Sequence, residues 1–250
     1  MNGTVVQKFV RRLRALLVEC ITPGSKPRID EVNDIAKAAG YSVVDQVTQH
    51  RDSVDSAYCV GKGKIDEIEK TVTEGSIEAI IFTRQLSAGQ IFRIKKKLGD
   101  VHVLDRNLLI LEVFEKRCAT TEARLQIALA RLRYTFSWGR ESVRMRGITS
   151  EQMGRGGPGQ YPYEAYEAIS RKRISKIEGE LRDIRSKSSR LRERRGKAGF
   201  RIVALTGYTQ SGKTTLFNRL TSESKEIGLG PFTTLSTFAR KVRTETKAAS

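Results

Sequence analysis

Hydrophobic positions along the chain change period several times, and each change predicts a new element. From residue 4 to 20, Val6, Phe9, Val10, Leu13, Leu16 and Leu17 recur at spacings of three and four with arginines between them. That pattern predicts an amphipathic helix, ended by Pro23 and Gly24. A second, shorter helix is expected from Asp30 to Ala39, stopped by Gly40. Tyr41 to Thr48 and Tyr58 to Val60 are rich in β-formers and predict strands. Helix Lys64 to Glu74, strand Glu78 to Phe82, helix Ser87 to Leu98 and strand Val101 to Leu104 then alternate. Alternation at this length predicts an α/β fold with a mostly parallel sheet flanked by helices.

After Asp105 the period settles. Leu111, Phe114, Cys118, Thr121, Leu125, Ala128 and Leu132 recur at three- and four-residue steps, predicting one unbroken helix of about 30 residues, about 45 Å long. A second series runs through Ile174, Ile177, Leu181, Ile184, Ser188 and Leu191, so the two are expected to pair as a long antiparallel helical hairpin. Between them, Gly139 to Gln160 is poor in apolar residues and contains Gly154-Arg155-Gly156-Gly157-Pro158-Gly159, which reads as loop. A new strand is predicted from Arg201 to Thr206, beyond the boundary glycines Gly196 and Gly199.

Charge adds a partner to this outline. Lys and Arg number 46 against 28 Asp and Glu, a net charge of +18 that points to a polyanion. Arg171, Lys172 and Arg173 begin a run of basic residues in the second hairpin arm, where cations outnumber acids about two to one. Cys20, Cys59 and Cys118 are odd in number and widely spaced, which argues against a disulfide framework and fits a reducing compartment. His50 and His102 show no metal-ligand spacing. The apolar stretch from Val5 to Ile21 carries four cations, so neither a membrane span nor a signal peptide is expected, and a cytoplasmic location is.

The most specific chemistry lies after the predicted strand. Gly207-Tyr208-Thr209-Gln210-Ser211-Gly212-Lys213-Thr214 satisfies G-x-x-x-x-G-K-[ST] and leads into a helix that begins near Thr215. Glycines at both ends let successive amides wrap phosphate oxygens, with the helix N-terminus adding positive potential. Lys213 is the expected partner of the β- and γ-phosphates, and the Thr214 hydroxyl of Mg²⁺. Downstream, Gly230-Pro231-Phe232-Thr233-Thr234-Leu235 is a candidate switch segment in which Phe232, Thr233 and Thr234 close on nucleotide, with Thr234 as a second magnesium ligand. The earlier Gly61-Lys62-Gly63-Lys64 lacks the glycine spacing and reads better as a sharp strand-to-helix turn.

Several of these segments, in this order, resemble the HflX family of ribosome-associated GTPases from about residue 27 onward. They are Val60 to Lys64, Val103-Leu104-Asp105-Arg106, Leu109 to Leu111 with Phe114, and Thr121-Glu122 with Leu125-Gln126. The string Arg155 to Gly159, the loop Gly207 to Thr214 and Thr234 complete the set. The resemblance implies an N-terminal α/β HflX domain at 1–105, a helical hairpin at 106–198 and the start of a P-loop G domain at 199–250. It also implies GTP and Mg²⁺ as cofactors and the large ribosomal subunit as partner. The hairpin tip would approach rRNA near the peptidyl-transferase region, with Arg144, Arg146, Arg155, Arg171, Lys172 and Arg173 as candidate RNA contacts. GTP-dependent regulation of ribosome splitting or rescue is the implied activity.

Departures from the family pattern follow Thr234, where no DxxG, NKxD or SAK-type segment occurs. The guanine base is therefore implied by resemblance alone, and hydrolysis by this chain is expected to be slow or absent. Either a fragment or truncated reading of a longer GTPase, or an N-terminal module retained for another purpose, is the corresponding expectation. Two other functions stay open on the residues: a nucleotide-independent RNA-binding module, and a P-loop ATPase.

Overall fold

The computed structural model describes residues 12–149, 160–201, 203–208, 211–221, 239, 240 and 242. Its first element is a strand, β1 (Leu13–Ile21), followed by α1 (Ile29–Ala38), β2 (Tyr41–His50) and α2 (Lys62–Glu74). Then come β3 (Ala79–Phe82), α3 (Ala88–Leu98), β4 (His102–Asp105) and α4 (Arg106–Arg117). Three further helices complete the described set: α5 (Thr121–Thr149), α6 (Gln160–Lys197) and α7 (Lys213–Thr221). The four strands form one sheet in the order β2-β1-β3-β4, and every pairing is parallel.

A strand replaces the helix expected at the start, and burial explains why. Ala15 to Cys20 are all buried, because β1 lies between β2 and β3. A strand covered on both faces needs a continuous apolar run, and such a run also satisfies a three- and four-residue period by coincidence. Glu19 is the exception within it. Its Oε1 accepts from the Arg28 amide at 2.7 Å, at the start of α1, and from the Thr83 hydroxyl at 3.3 Å. Residues 4–11 of the expected helix lie outside the described residues.

The remaining sheet elements match their periodicities. Helix α1 buries Val32 and Ala36, α2 buries Ile65, Ile68 and Val72, and α3 buries Ile91, Ile94 and Leu98. These faces meet Leu16, Leu17, Ile80, Ile81 and Leu104 in one apolar core. Ser87 opens α3 with a reciprocal cap: its hydroxyl accepts from the Gln90 amide at 3.2 Å, and its own amide donates to Gln90 Oε1 at 2.8 Å.

Residues 58–60 are a turn and no strand. The Asp55 carboxylate accepts from the amides of Ala57 (2.8 Å) and Tyr58 (2.9 Å), and Cys59 takes φ +70° to close a single bridge to Asp55. Local side-chain capture of backbone amides outcompetes extension there. Gly61 caps α2, donating its amide to Gln49 Oε1 at 2.8 Å, and the Arg51 guanidinium occupies the space of the missing Cβ. The strand-to-helix turn predicted for Gly61 to Lys64 is thus confined to Gly61, since Lys62, Gly63 and Lys64 already belong to α2 and no strand directly precedes them.

The helix expected to run unbroken from 105 divides at Cys118–Thr120. Cys118 Sγ donates back to Glu115 O at 3.1 Å, and the Thr120 hydroxyl accepts from the Ala123 amide at 3.2 Å as a fresh N-cap. Period alone cannot register such a cap. In contrast, Gly139 to Thr149 is helical where loop was expected, since α5 continues to Thr149. Gly139 sits inside the helix because Tyr166 of α6 fills the space its side chain would need. The glycine-rich string 154–159 lies outside the described residues.

Two compact units result: residues 1–113 with 130–174, and residues 114–129 with 175–250. In the first, α5 and α6 meet through Phe136 and Tyr166, whose rings stack at 6.1 Å and 16°. In the second, Cys118, Ile177 and Leu181 are buried. Arg201 and residues 203–206 are not in a strand, contrary to expectation, and Val203 is 85% exposed. Among the described residues there is no neighbouring strand to pair with this segment, so its apolar pattern has no ladder to join.

Candidate nucleotide-binding loop and basic arm

The phosphate loop owes its shape to its two glycines. Gly207 has φ +155° and Gly212 φ +79°, a region that side-chain-bearing residues adopt only with strain. A Cβ on Gly207 would also lie 3.0 Å from Ser211 Oγ, whereas the space around Gly212 is open. Thus conformation favours glycine at both positions, and at the first a side chain would also have to displace the Ser211 hydroxyl slightly. The Ser211 amide donates to Tyr208 O at 3.3 Å, and the Leu216 amide to Gly212 O at 2.9 Å, which starts α7 directly at the loop.

Helix α7 begins at Lys213, two residues before the expected Thr215, so Lys213, Thr214 and Thr215 all fall in its first turn. No acidic residue occupies that turn. First-turn amides lack intrahelical acceptors and carry the positive end of the helix dipole, which suits an anion. Lys213 Nζ folds back to donate to Tyr208 O, with Ser211 Oγ 3.4 Å away. The ammonium is thereby held within the turn that a phosphate group would share. Tyr208 is 91% exposed. Thr209 and Gln210, and the switch residues Phe232, Thr233 and Thr234, lie outside the described residues.

The candidate RNA contacts divide similarly. Arg171, Lys172 and Arg173 are exposed on α6, where Arg171 pairs with Glu167 one turn earlier, Nε to Oε1 at 2.9 Å. The later cations Arg182, Arg185, Lys187, Arg190, Arg192 and Arg194 are exposed or partly so. Arg144 and Arg146 fall in α5 with their side chains outside the described set, and Arg155 lies outside the described residues. Tyr166 is packed inside the hairpin against Phe136.

Other reactive groups are set aside by burial. It raises the pKa of the Cys20 thiol and pushes that of Cys59 up to about 12, so both are held as thiols, poor nucleophiles and poor metal ligands. Among the described residues no His, Cys, Asp and Glu cluster suits a metal, and no helix is long and apolar enough to cross a membrane. What the sequence did not flag is a pair of polar contacts along α5, Tyr134 with the buried Asp105 and, one turn earlier, Arg131 with Glu112. Asp105 was visible only as part of a family string, and no spacing rule links it to a residue 29 positions away.

A parallel α/β sheet, a long basic helical arm and a glycine loop opening a helix define a multidomain P-loop protein. Comparison with known proteins narrows the class. Three family profiles match in chain order: GTP-binding GTPase N-terminal at residues 26–115, GTP-binding GTPase Middle Region at 117–195, and 50S ribosome-binding GTPase at 202–249. GTPase HflX of Thermofilum pendens is 42% identical over 218 residues, covering 87% of this chain and 51% of that protein. GTPase HflX of Caldanaerobacter subterraneus is 33% identical over 246 residues, covering 96% and 56%. A crystal structure of a GTP-binding protein from Sulfolobus solfataricus in complex with GDP superposes with TM-score 0.52 at 26% identity, covering 85% of this chain and 54% of that one. The chain belongs to the HflX GTPase family. It spans about half the length of the curated relatives it matches.

Proposed function

We propose that this chain binds a guanine nucleoside triphosphate with Mg²⁺ through residues 207–214 and binds RNA of the large ribosomal subunit through its basic helical arm. The observation that carries the nucleotide half is the glycine-bounded turn running straight into a helix whose first turn holds Lys213 and Thr214 without an acid. Lys213 and the loop amides, including those of Tyr208, Thr209, Gln210 and Ser211, would hold phosphates. The Thr214 hydroxyl, a hard oxygen donor, suits Mg²⁺, with Thr234 as the second protein ligand. When bound, the metal supplies charge neutralisation at the phosphate oxygens. Phe232 and Thr233 belong to the same switch segment.

For the RNA half, support comes from the row of exposed cations on α6, since a polycationic surface gains affinity by displacing condensed counterions. Arg171, Lys172 and Arg173, with Arg144, Arg146 and Arg155, are the proposed contacts. The reading carries with it the domain assignment 1–105, 106–198 and 199–250, a cytoplasmic location, contact near the peptidyl-transferase region and a role in ribosome splitting or rescue.

The test has two arms. Labelled GTP is competed with ATP on wild type and on Lys213→Ala: guanine preference and its loss in the variant support the reading, and adenine preference supports an ATPase instead. Co-sedimentation with large ribosomal subunits is followed across a salt series. Absence of binding at low salt, or binding indifferent to salt, refutes the role of the arm.

A further inference from the structure

The middle of α5, from Arg131 to Trp138, is fastened to the sheet domain by polar contacts that apolar packing alone would not require. Asp105, fully buried at the end of β4, accepts from the Leu86 amide before α3 (3.2 Å), from the Leu108 amide in the first turn of α4 (3.0 Å) and from the Tyr134 hydroxyl of α5. The Tyr134 oxygen also accepts from Asn107 Nδ2 at 3.2 Å, so the phenol is held from both sides. One turn earlier on α5, Arg131 Nη2 donates to Glu112 Oε1 at 3.1 Å, while Glu112 Oε2 accepts from the Tyr41 hydroxyl at 2.7 Å. One turn later, Trp138 is buried edge-on against Tyr134, at 5.2 Å and 63°. Residues 131, 134 and 138 share one helical face.

The Leu108 amide makes Asp105 a local cap of α4, and the Leu86 amide ties it to the segment before α3. The third donor, from a different helix, gives it a second task. Apolar faces tolerate sliding and rotation, whereas directional bonds to a buried carboxylate admit one rotational setting of a helix. The setting passes along the arm within the same compact unit: Phe136, two residues beyond Tyr134, stacks on Tyr166 of α6, five residues before Arg171.

We propose that Asp105 is a positioning residue that, through Tyr134, sets the rotation of the hairpin arm and hence the direction in which Arg171, Lys172 and Arg173 are presented to RNA. This rests on the RNA-binding reading above and adds to it the element that aims the arm. Asp105 and Tyr134 themselves touch no RNA.

The test uses the full chain and two variants, Tyr134→Phe and Asp105→Asn. Tyr134→Phe keeps the ring against Trp138 and deletes only the hydroxyl, so it remains informative if Asp105→Asn fails to fold by circular dichroism. Trp138 is the sole tryptophan, so its quenching by acrylamide reads the clasp directly. Expected are quenching raised about twofold and affinity for large-subunit rRNA lowered about five- to tenfold at every salt concentration, the scale of one hydrogen bond, with an unchanged salt slope. Unchanged quenching overturns the clasp. Raised quenching with unchanged affinity overturns the positioning role, and a shallower salt slope shows direct RNA contact and overturns it too. Failure of wild type to bind rRNA refutes the RNA reading and the positioning role with it, and the quenching result then shows whether the clasp stands as a purely structural contact.

Discussion

Replacing Gly139 by alanine is expected to destabilise the protein, against the usual effect of that substitution in a helix. An unobstructed glycine-to-alanine change within a helix gains up to about 1 kcal/mol. Here the new methyl would overlap Tyr166 Oη and Cζ, and Cε1 lies only 2.7 Å from its position. The ring cannot swing aside freely, because it stacks on Phe136, which the Arg140 guanidinium faces at 5.7 Å. Overpacking costs about 1–3 kcal/mol, and a displaced aromatic pair forfeits about 0.5–1.5 kcal/mol more. Set against the helical gain, the net loss is about 2 kcal/mol, or about 4–8 °C in Tm for a chain of this size. Trp138 is the adjacent residue, so thermal and urea unfolding followed by its fluorescence measures the effect. Gly179→Ala is the control: only Arg182 Nη2 approaches, at 3.8 Å, and stabilisation by up to about 1 kcal/mol is expected. In a Tyr166→Ala background the sign at Gly139 should reverse, giving a large coupling in the double-mutant cycle. If Gly139→Ala raises the midpoint in the wild-type background as Gly179→Ala does, the packing account of this glycine is wrong.

Three further outcomes are expected. Gly212→Ala meets no obstacle but must hold φ +79°, a backbone cost of about 1–2 kcal/mol, so labelled-GTP affinity should fall about tenfold while Trp138-detected unfolding is unchanged. Burial, reinforced by hydrogen bonds to Glu112 and Asp105, raises the pKa of Tyr41 and Tyr134 above the ordinary 10. The unfolded chain therefore loses those protons first, and stability present below about pH 10 declines as pH rises beyond it. Ultraviolet titration should show two late phenols, one of which disappears in each of Tyr41→Phe and Tyr134→Phe. Neutralising Arg171, Lys172 or Arg173 to glutamine should reduce the salt slope of rRNA binding by about one for each phosphate no longer neutralised.

Most of the sheet domain could be read along the chain because its helices and the edge strand β2 each keep one wet face, so burial leaves a period behind. Val32 and Ala36, or Ile91, Ile94 and Leu98, announce their helices for that reason. β1 has no wet face, and Leu16, Leu17 and Val18 therefore carried no alternation to separate strand from helix. The break at Thr120 and the continuity through Gly139 depend on one hydroxyl and one distant phenol, which no window of hydropathy registers. The phosphate loop was legible since its chemistry is local, confined to consecutive residues. The Asp105 cluster was not, since its donors come from residues 86, 108 and 134.

The irregular margin of the sheet bears on how copies of this chain behave in crowded solution. Strand β2 ends the sheet among the described residues, and Val44 is inserted between the partners of Ala15 and Leu16, bulging the strand. Immediately after it, Asp45 Oδ1 accepts from the Gln46 amide at 2.7 Å. A flat rim of ten residues would invite another molecule to zip alongside it, as in fibril growth. A kinked rim with one of its amides already satisfied and a negative charge beside it is a poor template, which keeps a protein with such an apolar interior from adding strand upon strand.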